Sequence, residues 1–154
     1  MTAQTGRTVS KHVAFKIDDS VGTVREIAVN SINGVGLVYD EMDVTAFMDA
    51  IKNVLPNHPD LNITISGPFD NTASTGSHTV LSGVVGGNTP LTMDIQFGIR
   101  HAWEAEEPQF GITSSATSGM LVTSYVVNPD DMTYTATLRV MGGTAPAWGT
   151  AAET

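Results

Sequence analysis

Alternating apolar and polar residues are the clearest pattern in this chain, and they predict β-strands. The strongest alternation runs through residues 91–100, where the apolar side chains at every second position share one face. The opposite face of that segment carries Thr92, Asp94, Gln96 and Arg100. Six or seven strands are predicted in all, the others lying at 13–17, 24–29, 37–39, 61–66, 120–127 and 133–141.

Turn-forming residues connect two pairs of these strands. The segment 18–23 (DDSVGT) combines two Asp residues with a glycine, and the segment 128–131 (NPDD) combines Asn, Pro and Asp. Asp and Asn favour turns because their side chains accept hydrogen bonds from the backbone just ahead of them, and glycine tolerates positive φ. Both pairs of strands are therefore predicted to form β-hairpins.

The clearest helical pattern lies between the third and fourth of these strands. Asp43 is a favourable N-cap, and Pro56 and Pro59 would end a helix that begins there. Within 44–55 the apolar residues recur at spacings of three and four, namely Val44, Phe47, Met48, Ile51 and Leu55. The pattern predicts an amphipathic helix over this segment. A shorter second helix is predicted at 77–84, capped by its first serine and stopped by the two glycines that follow.

Together these elements predict a mainly β fold. Mostly antiparallel strands would form a β-sandwich or barrel, with one flanking α-helix. The length of 154 residues suits one domain. We assign residues 1–11 to an N-terminal arm, 12–141 to a single domain and 142–154 to a C-terminal tail. The arm and the tail are candidates for contacts with neighbouring subunits, and disorder is the alternative for each.

Charge and composition exclude several classes of protein. The net charge is −9, and only Arg100 and Arg139 are basic after Lys52, which argues against a nucleic-acid grip built on a basic stripe. The absence of cysteine excludes disulfides and thiolate metal sites. No run approaches the roughly 18 apolar residues of a membrane span, and the first residues lack the apolar core of a secretory signal. The sequence predicts a soluble protein without membrane contact.

Candidate chemistry is sparse along the chain. His101 and the carboxylates Glu104, Glu106 and Glu107 form the densest cluster, but their spacing matches no zinc motif, and a solvated acidic loop explains them. The Asp pairs at 18–19 and 130–131 have the chemistry of turns. His12, His58 and His78 are isolated, and no serine lies in a G-x-S-x-G elbow. We expect no catalytic set, no metal site and no cofactor.

Strong strands without a catalytic set suit a protein that assembles with copies of itself. Free strand edges are a liability in a monomer, and pairing with neighbours removes them. The polar faces of the predicted strands carry Thr, Asn, Gln and Asp instead of Lys and Glu. Such faces fit a lumen or a seam between subunits.

The order of motifs resembles the tail tube (major tail) proteins of long-tailed bacteriophages. The resemblance spans roughly residues 12–148 and rests on order and spacing, since no single element is specific. Its elements are FKIDDSVGTVREI (15–27), DVT (43–45), ITISGPFD (63–70), HTVL (78–81), the strand 91–100, PQFG (108–111), and a final strand that ends in GG (142–143) and PAW (146–148).

The resemblance implies a structural role in the virion. Six subunits would form a ring, each lending strands to an inner β-barrel, and rings would stack into a hollow tube through which genome DNA passes into the host. Expected partners are the tape measure protein and the tail terminator, and assembly would take place in the host cytoplasm. An acidic lumen is typical of the family, and an anionic wall would keep DNA from sticking. The predicted helix at 44–55 departs from the family, where many members carry a long loop that contacts the next ring.

Site residues follow from this resemblance and from the strand faces. The expected lumen-facing residues are Thr92, Asp94 and Gln96 on the best strand, and then Thr133, Thr135 and Thr137 on the last. Alternation does not say which side of a sheet is the lumen, so an outer solvent face is the alternative for each. The expected contacts between subunits or rings are Arg7, Lys11, Asp43 and Trp148.

Two other classes compete with a tube protein. A capsid decoration protein, or another structural protein of the head or tail, would share the β-rich composition without cysteine but would form trimers or bind a preformed shell. A sugar-binding sandwich would need an aromatic platform, and a small hydrolase would use a carboxylate pair from Glu104, Glu106 and Glu107; both would be monomers. The two Trp and three Tyr residues are scattered, which counts against an aromatic sugar platform.

Overall fold

The computed structural model describes residues 6–98 and 107–150. A single 3₁₀ turn, Ser10–His12, precedes the first strand. The elements that follow are β1 (Val13–Asp18), β2 (Val24–Ile27), β3 (Ser31–Asn33), β4 (Val38–Asp43), β5 (Val54–Asp60), β6 (Asn62–Pro68), α1 (Ser77–Val84), β7 (Met93–Phe97), β8 (Pro108–Ile112), β9 (Gly119–Asn128), β10 (Thr133–Met141) and β11 (Ala147–Thr150).

The strands form three antiparallel sheets. One has the order β11-β8-β7-β1-β2, the second has the order β3-β6-β10-β9, and the third is the pair β4-β5. Every strand pair in the described residues is antiparallel. The prediction of a mainly β, antiparallel fold is confirmed.

The two larger sheets pack face to face around one apolar core. Each strand contributes alternate side chains to it, because successive residues of a strand point to opposite faces. The five-stranded sheet supplies Phe15, Ile17, Met93, Ile95 and Phe110, and the four-stranded sheet supplies Ile63, Ile65, Val122, Tyr134 and Leu138, all at most 1% exposed. The architecture is therefore a β-sandwich, one of the two predicted arrangements.

The turn between β1 and β2 is organised by Asp19, as the sequence predicts. Its carboxylate accepts hydrogen bonds from the backbone N–H groups of Val21 and Thr23, both at 3.0 Å, and from Nε of Arg25 at 3.2 Å. Partial burial alone would raise the pKa of Asp19, but the bonds from Thr23, Arg25 and Val21 outweigh it and lower the pKa from 3.8. The second predicted hairpin, β9–β10, is also present.

Asp19→Ala is expected to lower the free energy of unfolding by about 1–3 kcal/mol, because three donors lose a charged acceptor. A carboxyl with a lowered folded-state pKa stabilises the protein above its unfolded pKa and loses that effect as the pH falls. The deficit should therefore be full at neutral pH and should shrink below pH 3.8. Urea unfolding of Asp19→Ala and of the neighbouring control Ser20→Ala at pH 7 and pH 3 checks both points. An equal deficit at the two pH values would contradict the assignment.

The predicted helix at 44–55 is wrong. Residues 38–60 form an extended hairpin of β4 and β5, and Pro56 and Pro59 lie inside β5, which is allowed in a two-stranded sheet with free edges. Asp43 does accept a hydrogen bond from the N–H of Thr45, at 2.9 Å, but the bond opens a loop instead of a helix. Helical spacing of apolar residues predicts a helix only where a core covers that face, and here nothing in the described chain covers it.

The shorter helix is confirmed as α1, which lies beside the sandwich with Val80, Leu81 and Val84 buried. Gly76 is its N-cap residue, and the hydroxyl of Ser77 instead donates to the carbonyl of Pro68 at 2.9 Å. Within the described residues, no helix is long and apolar enough to cross a membrane. The segment assigned to a C-terminal tail supplies β11, which extends the five-stranded sheet along β8.

Candidate functional site

The hairpin of residues 38–60, called here the β4–β5 hairpin, is the most conspicuous surface feature. Every residue of β4 and β5 is exposed, and so is the loop between them. At the tip, the side chain of Phe47 is fully exposed, and those of Met48 and Ile51 are 91% and 75% exposed. Exposed apolar side chains grouped on one projection are typical of surfaces that bind another molecule, since their exposure to water is unfavourable.

The tip has a defined shape of its own. The N–H of Val44 donates to the carbonyl of Asn53 at 3.0 Å, and the N–H of Asn53 donates to Oγ1 of Thr45 at 2.8 Å. Asp49 accepts from the N–H of Ala46 at 2.8 Å and from the side chain of Asn53 at 3.0 Å. The backbone bond from Ala46 lowers the pKa of Asp49, and Asn53 adds to this. The tip is thus closed by hydrogen bonds although its apolar side chains are uncovered.

The β4–β5 hairpin is also acidic. It carries Asp40, Glu41, Asp43, Asp49 and Asp60 against the single basic residue Lys52. The Nζ atom of Lys52 lies 4.0 Å from Asp43, in an exposed pair that contributes little to stability. Asp43, which was predicted as a contact between subunits, is the last residue of β4 and so lies at the start of the tip. Its pKa is lowered by hydrogen bonds from the backbone and the side chain of Thr45.

The structure brings the first set of lumen candidates together on β7 and just before it, but with little free surface. Gln96 was predicted to line a channel, but it is 4% exposed, so its side chain is not available for that role. Thr92 is half-buried, and its hydroxyl donates to Oγ of Ser114 at 3.0 Å. Asp94 is half-buried too and accepts a hydrogen bond from Nε2 of Gln109 at 2.7 Å. Alternation identifies the residues that share this face but not what covers it.

Burial raises the pKa of Asp94 above 3.8, and the nearby Asp18 adds to the rise, although Gln109 and Lys16 oppose it. A carboxyl with a raised folded-state pKa stabilises the protein below its unfolded pKa and loses that contribution as the pH rises. Asp94→Asn, which can keep the bond to Gln109, is therefore expected to raise the Tm at pH 7 and to lose this advantage near pH 3. Thermal melts at both values check this, with the exposed Asp130→Asn as control. A lower Tm at pH 7 would contradict it.

The second set of lumen candidates lies on β10 in the four-stranded sheet. Thr133, Thr135 and Thr137 alternate with the core residues Tyr134 and Ala136, and so they point away from the core. Thr135 is exposed, while the other two are half-exposed. That this face lines a lumen stays a prediction.

The remaining contact candidates lie in different parts of the molecule. Arg7 and Lys11 are exposed near the start of the described chain, where the hydroxyl of Thr8 donates to the carbonyl of Gly98. Trp148 is 58% exposed on β11, and its ring lies 5.0 Å from that of Phe110 and 5.6 Å from that of Phe97, measured between centroids. Trp148 therefore holds the edge strand against the sandwich while leaving part of its surface open.

The acidic cluster of the sequence falls mostly outside the described residues. His101, Glu104 and Glu106 lie outside them, and Glu107 is fully buried. Among residues 6–98 and 107–150, no group of three or more His, Cys, Asp or Glu side chains is placed to hold a metal ion. Sequence reasoning missed the exposed tip of the β4–β5 hairpin, because it assigned the same apolar residues to a buried helix face.

Three solved structures contain chains of the same fold. A chain of the sheath/tube terminator of PVC, an extracellular contractile injection system, in the extended state has a TM-score of 0.64 and 14% identity, over 95% of this chain and 99% of that one. A chain of the PVC sheath-tube complex in the extended state has a TM-score of 0.63 and 13% identity, over 94% and 93%. A chain of the tube-terminating cap of the anti-feeding prophage has a TM-score of 0.64 and 12% identity, over 98% and 96%.

At identities this low, the similarity to these structures shows a shared fold and nothing further. No family model matches the sequence, and no curated protein matches it. The chain shares its β-sandwich fold with chains of the PVC contractile injection system and of the anti-feeding prophage cap, along nearly its whole length and theirs.

Proposed function

We propose that this chain is a structural subunit of a phage-tail-like tube, in which rings of six copies stack into a hollow conduit. The observation that carries the proposal is the acidic β4–β5 hairpin with its apolar tip. Hydrogen bonds close the tip, but its apolar side chains are exposed in the single chain. A repeated contact between copies would bury Phe47, Met48 and Ile51 each time one ring meets the next. The tip thereby corresponds to the ring-to-ring loop that the sequence resemblance implies.

The similarity in fold supports the same proposal. It includes a chain of a sheath-tube complex, and it covers more than nine-tenths of both chains. On this proposal, copies meet at their sheet edges within a ring. The tape measure protein and the tail terminator would be partners, and genome DNA would pass through the lumen of a virion tail without specific binding.

A terminator of the tube is the second candidate. Two of the three similar structures are a sheath/tube terminator and a tube-terminating cap, and their TM-scores of 0.64 are as high as the 0.63 of the sheath-tube chain to within 0.01. A terminator would form one closed ring and would then stop. The β4–β5 hairpin of such a ring would face the end of a tube made from another chain.

The mass of the assembled particles tests the proposal. Six copies of a 16.2 kDa chain weigh about 97 kDa, and mass photometry over a range of protein and salt concentrations should show this species and multiples of it. A 97 kDa species that never grows would favour the terminator. Trimers, expected of a decoration protein, or monomers under every condition would contradict the proposal.

A further inference from the structure

We infer that the tip of the β4–β5 hairpin docks into an apolar groove on a second copy of this chain. The groove lies between the two larger sheets, at the corner where β2 passes into β3. The inference rests on the proposed function, since it needs copies that stack. It goes further because it names the surface that receives the tip and the chemistry that selects this surface.

The groove is an apolar cavity that reaches the surface. Its volume is about 380 Å³, within the range of pockets that bind small ligands. Its floor consists of the core residues Phe15, Ile27 and Ile95, each at most 4% exposed. Half-buried apolar residues form its walls, namely Val13, Val29, Ile32, Val35 and Phe97. A large apolar side chain placed in the groove would therefore contact apolar atoms of both sheets.

The hairpin tip carries side chains of the kind that the groove can cover. Phe47, Met48 and Ile51 are exposed in the single chain, so their cover has to come from another molecule. The hydrogen bonds accepted by Asp49 and Thr45 already fix the shape of the tip. A partner with a fixed shape loses less conformational entropy on binding than a flexible one.

Charge favours the groove as the binding site of the tip. Arg7 and Lys11 are exposed close in sequence to Ser10, which lines the groove, and neither forms an ion pair with the described part of the chain. Their charge is opposite to that of the acidic hairpin, and such complementarity guides which surfaces meet. Glu26 is the single charged residue among those that line the groove, and it lies opposite Lys16 in the register of β1 and β2.

A second cavity of the chain lacks these properties. It has a volume of about 160 Å³, less than half that of the groove, and it lies between the β1–β2 turn and the end of α1. Its lining includes Asp18 and Asp19, which would repel an acidic hairpin, and several glycines that offer little apolar surface. Size, polarity and charge together therefore favour the groove between the sheets over this cavity.

The pairing of tip and groove is head to tail, because the two are different surfaces of the chain. Contacts of this kind repeat without limit unless a rotation closes them into a ring. Each copy would offer its tip to one neighbour and its groove to another. A stack of rings would then have uncovered tips at one end and empty grooves at the other, and a terminating partner would need to match only one of these surfaces.

Site-directed crosslinking tests the pairing, because the chain has no cysteine of its own. Ala50→Cys places a thiol on the exposed tip without removing a large apolar side chain, and Ser31→Cys places one at the rim of the groove. Ser10→Cys, also in the lining of the groove, replaces Ser31→Cys if the latter fails to fold. Ser82→Cys, at an exposed serine of α1 outside the groove, is the matched control.

The measurement distinguishes contacts between copies from contacts within one copy. The tip variant is labelled with heavy nitrogen and is mixed with an equal amount of the unlabelled groove variant, under conditions in which the natural chain stacks. A short, rigid bismaleimide is added to the mixture. Mass spectrometry of the crosslinked peptides then shows which thiols were joined and whether they belonged to a labelled and an unlabelled chain.

We expect the Ala50→Cys chain to crosslink to the Ser31→Cys chain and not to the Ser82→Cys chain. This product should be lost when Phe47→Ser is added to the tip variant. Stacks whose tips crosslink with one another, or as readily with the control thiol as with the groove thiol, would overturn the inference and leave the proposed function standing. Stacks in which the groove thiol joins no tip would do the same, since another occupant would then fill the groove. If the natural chain forms no rings under any condition, the proposed function fails and the inference with it.

Discussion

Replacing Phe47 with serine is expected to stop ring stacking without changing the stability of the single chain. The side chain is fully exposed at the tip of the β4–β5 hairpin, and exposed substitutions usually change the free energy of unfolding by less than about 0.5 kcal/mol. In an assembly that buries it, each contact would lose about 1.5–3 kcal/mol of apolar burial. That loss weakens each contact by about 10- to 150-fold, and a ring of copies makes the contact repeatedly.

Sedimentation velocity and thermal melting of Phe47→Ser together check this result. Val21→Ser is the matched control, because Val21 is also an exposed apolar residue, at 80%, but lies in the turn between β1 and β2. The control should assemble like the natural chain. Normal stacking by Phe47→Ser would show that the tip is not a contact between copies, and a large fall in its Tm would show that the tip stabilises the single chain.

Replacing Tyr134 with alanine is expected to have the largest effect on folding. Tyr134 is fully buried between the sheets, and its hydroxyl donates to the carbonyl of Ala28 at 2.7 Å. Removing a buried aromatic ring costs about 3–5 kcal/mol, a large part of the stability of a domain this size. Tyr134→Phe, which keeps the ring and loses the bond, should cost only about 1 kcal/mol. Urea unfolding measures both, and Tyr39→Ala at an exposed tyrosine is the control.

The same tyrosine predicts a loss of stability at alkaline pH. Burial raises the pKa of Tyr134 above its ordinary value of 10.0, and the neighbouring Tyr125 adds to the rise. The unfolded chain therefore ionises first, and stability should fall by up to about 1.4 kcal/mol per pH unit above pH 10. Tyr134→Phe should lack much of this slope, whereas Tyr39→Phe should keep it. Parallel slopes in Tyr134→Phe and the natural chain would contradict the assignment.

Much of the sandwich could be predicted from sequence, because its strands have one covered face. The alternation at 133–141 predicted β10, since Tyr134, Ala136 and Leu138 are buried and the threonines between them are not. The turn chemistry of Asp19 predicted the β1–β2 hairpin for a similarly local reason. Sequence patterns predict a strand or a turn correctly where the segment's own core-facing side chains or turn hydrogen bonds determine its structure.

The β4–β5 hairpin and the lumen candidates show where such patterns fail. The apolar spacing of 44–55 predicts a helix, but these side chains project from the subunit, so intramolecular burial does not select a helix. On β7, the polar alternation at Asp94 and Gln96 predicts a free face, but Gln96 is buried and Asp94 is half-buried. In both cases the outcome depends on surfaces distant in sequence, or on a second molecule.

Negative-stain electron microscopy of the purified chain, at several concentrations and after mild heating or added salt, tests ring stacking directly. We expect stacked hollow rings with six-fold end views, in stacks that lengthen as the concentration rises. Closed rings of another symmetry, trimers, or compact monomers under every condition would contradict this expectation.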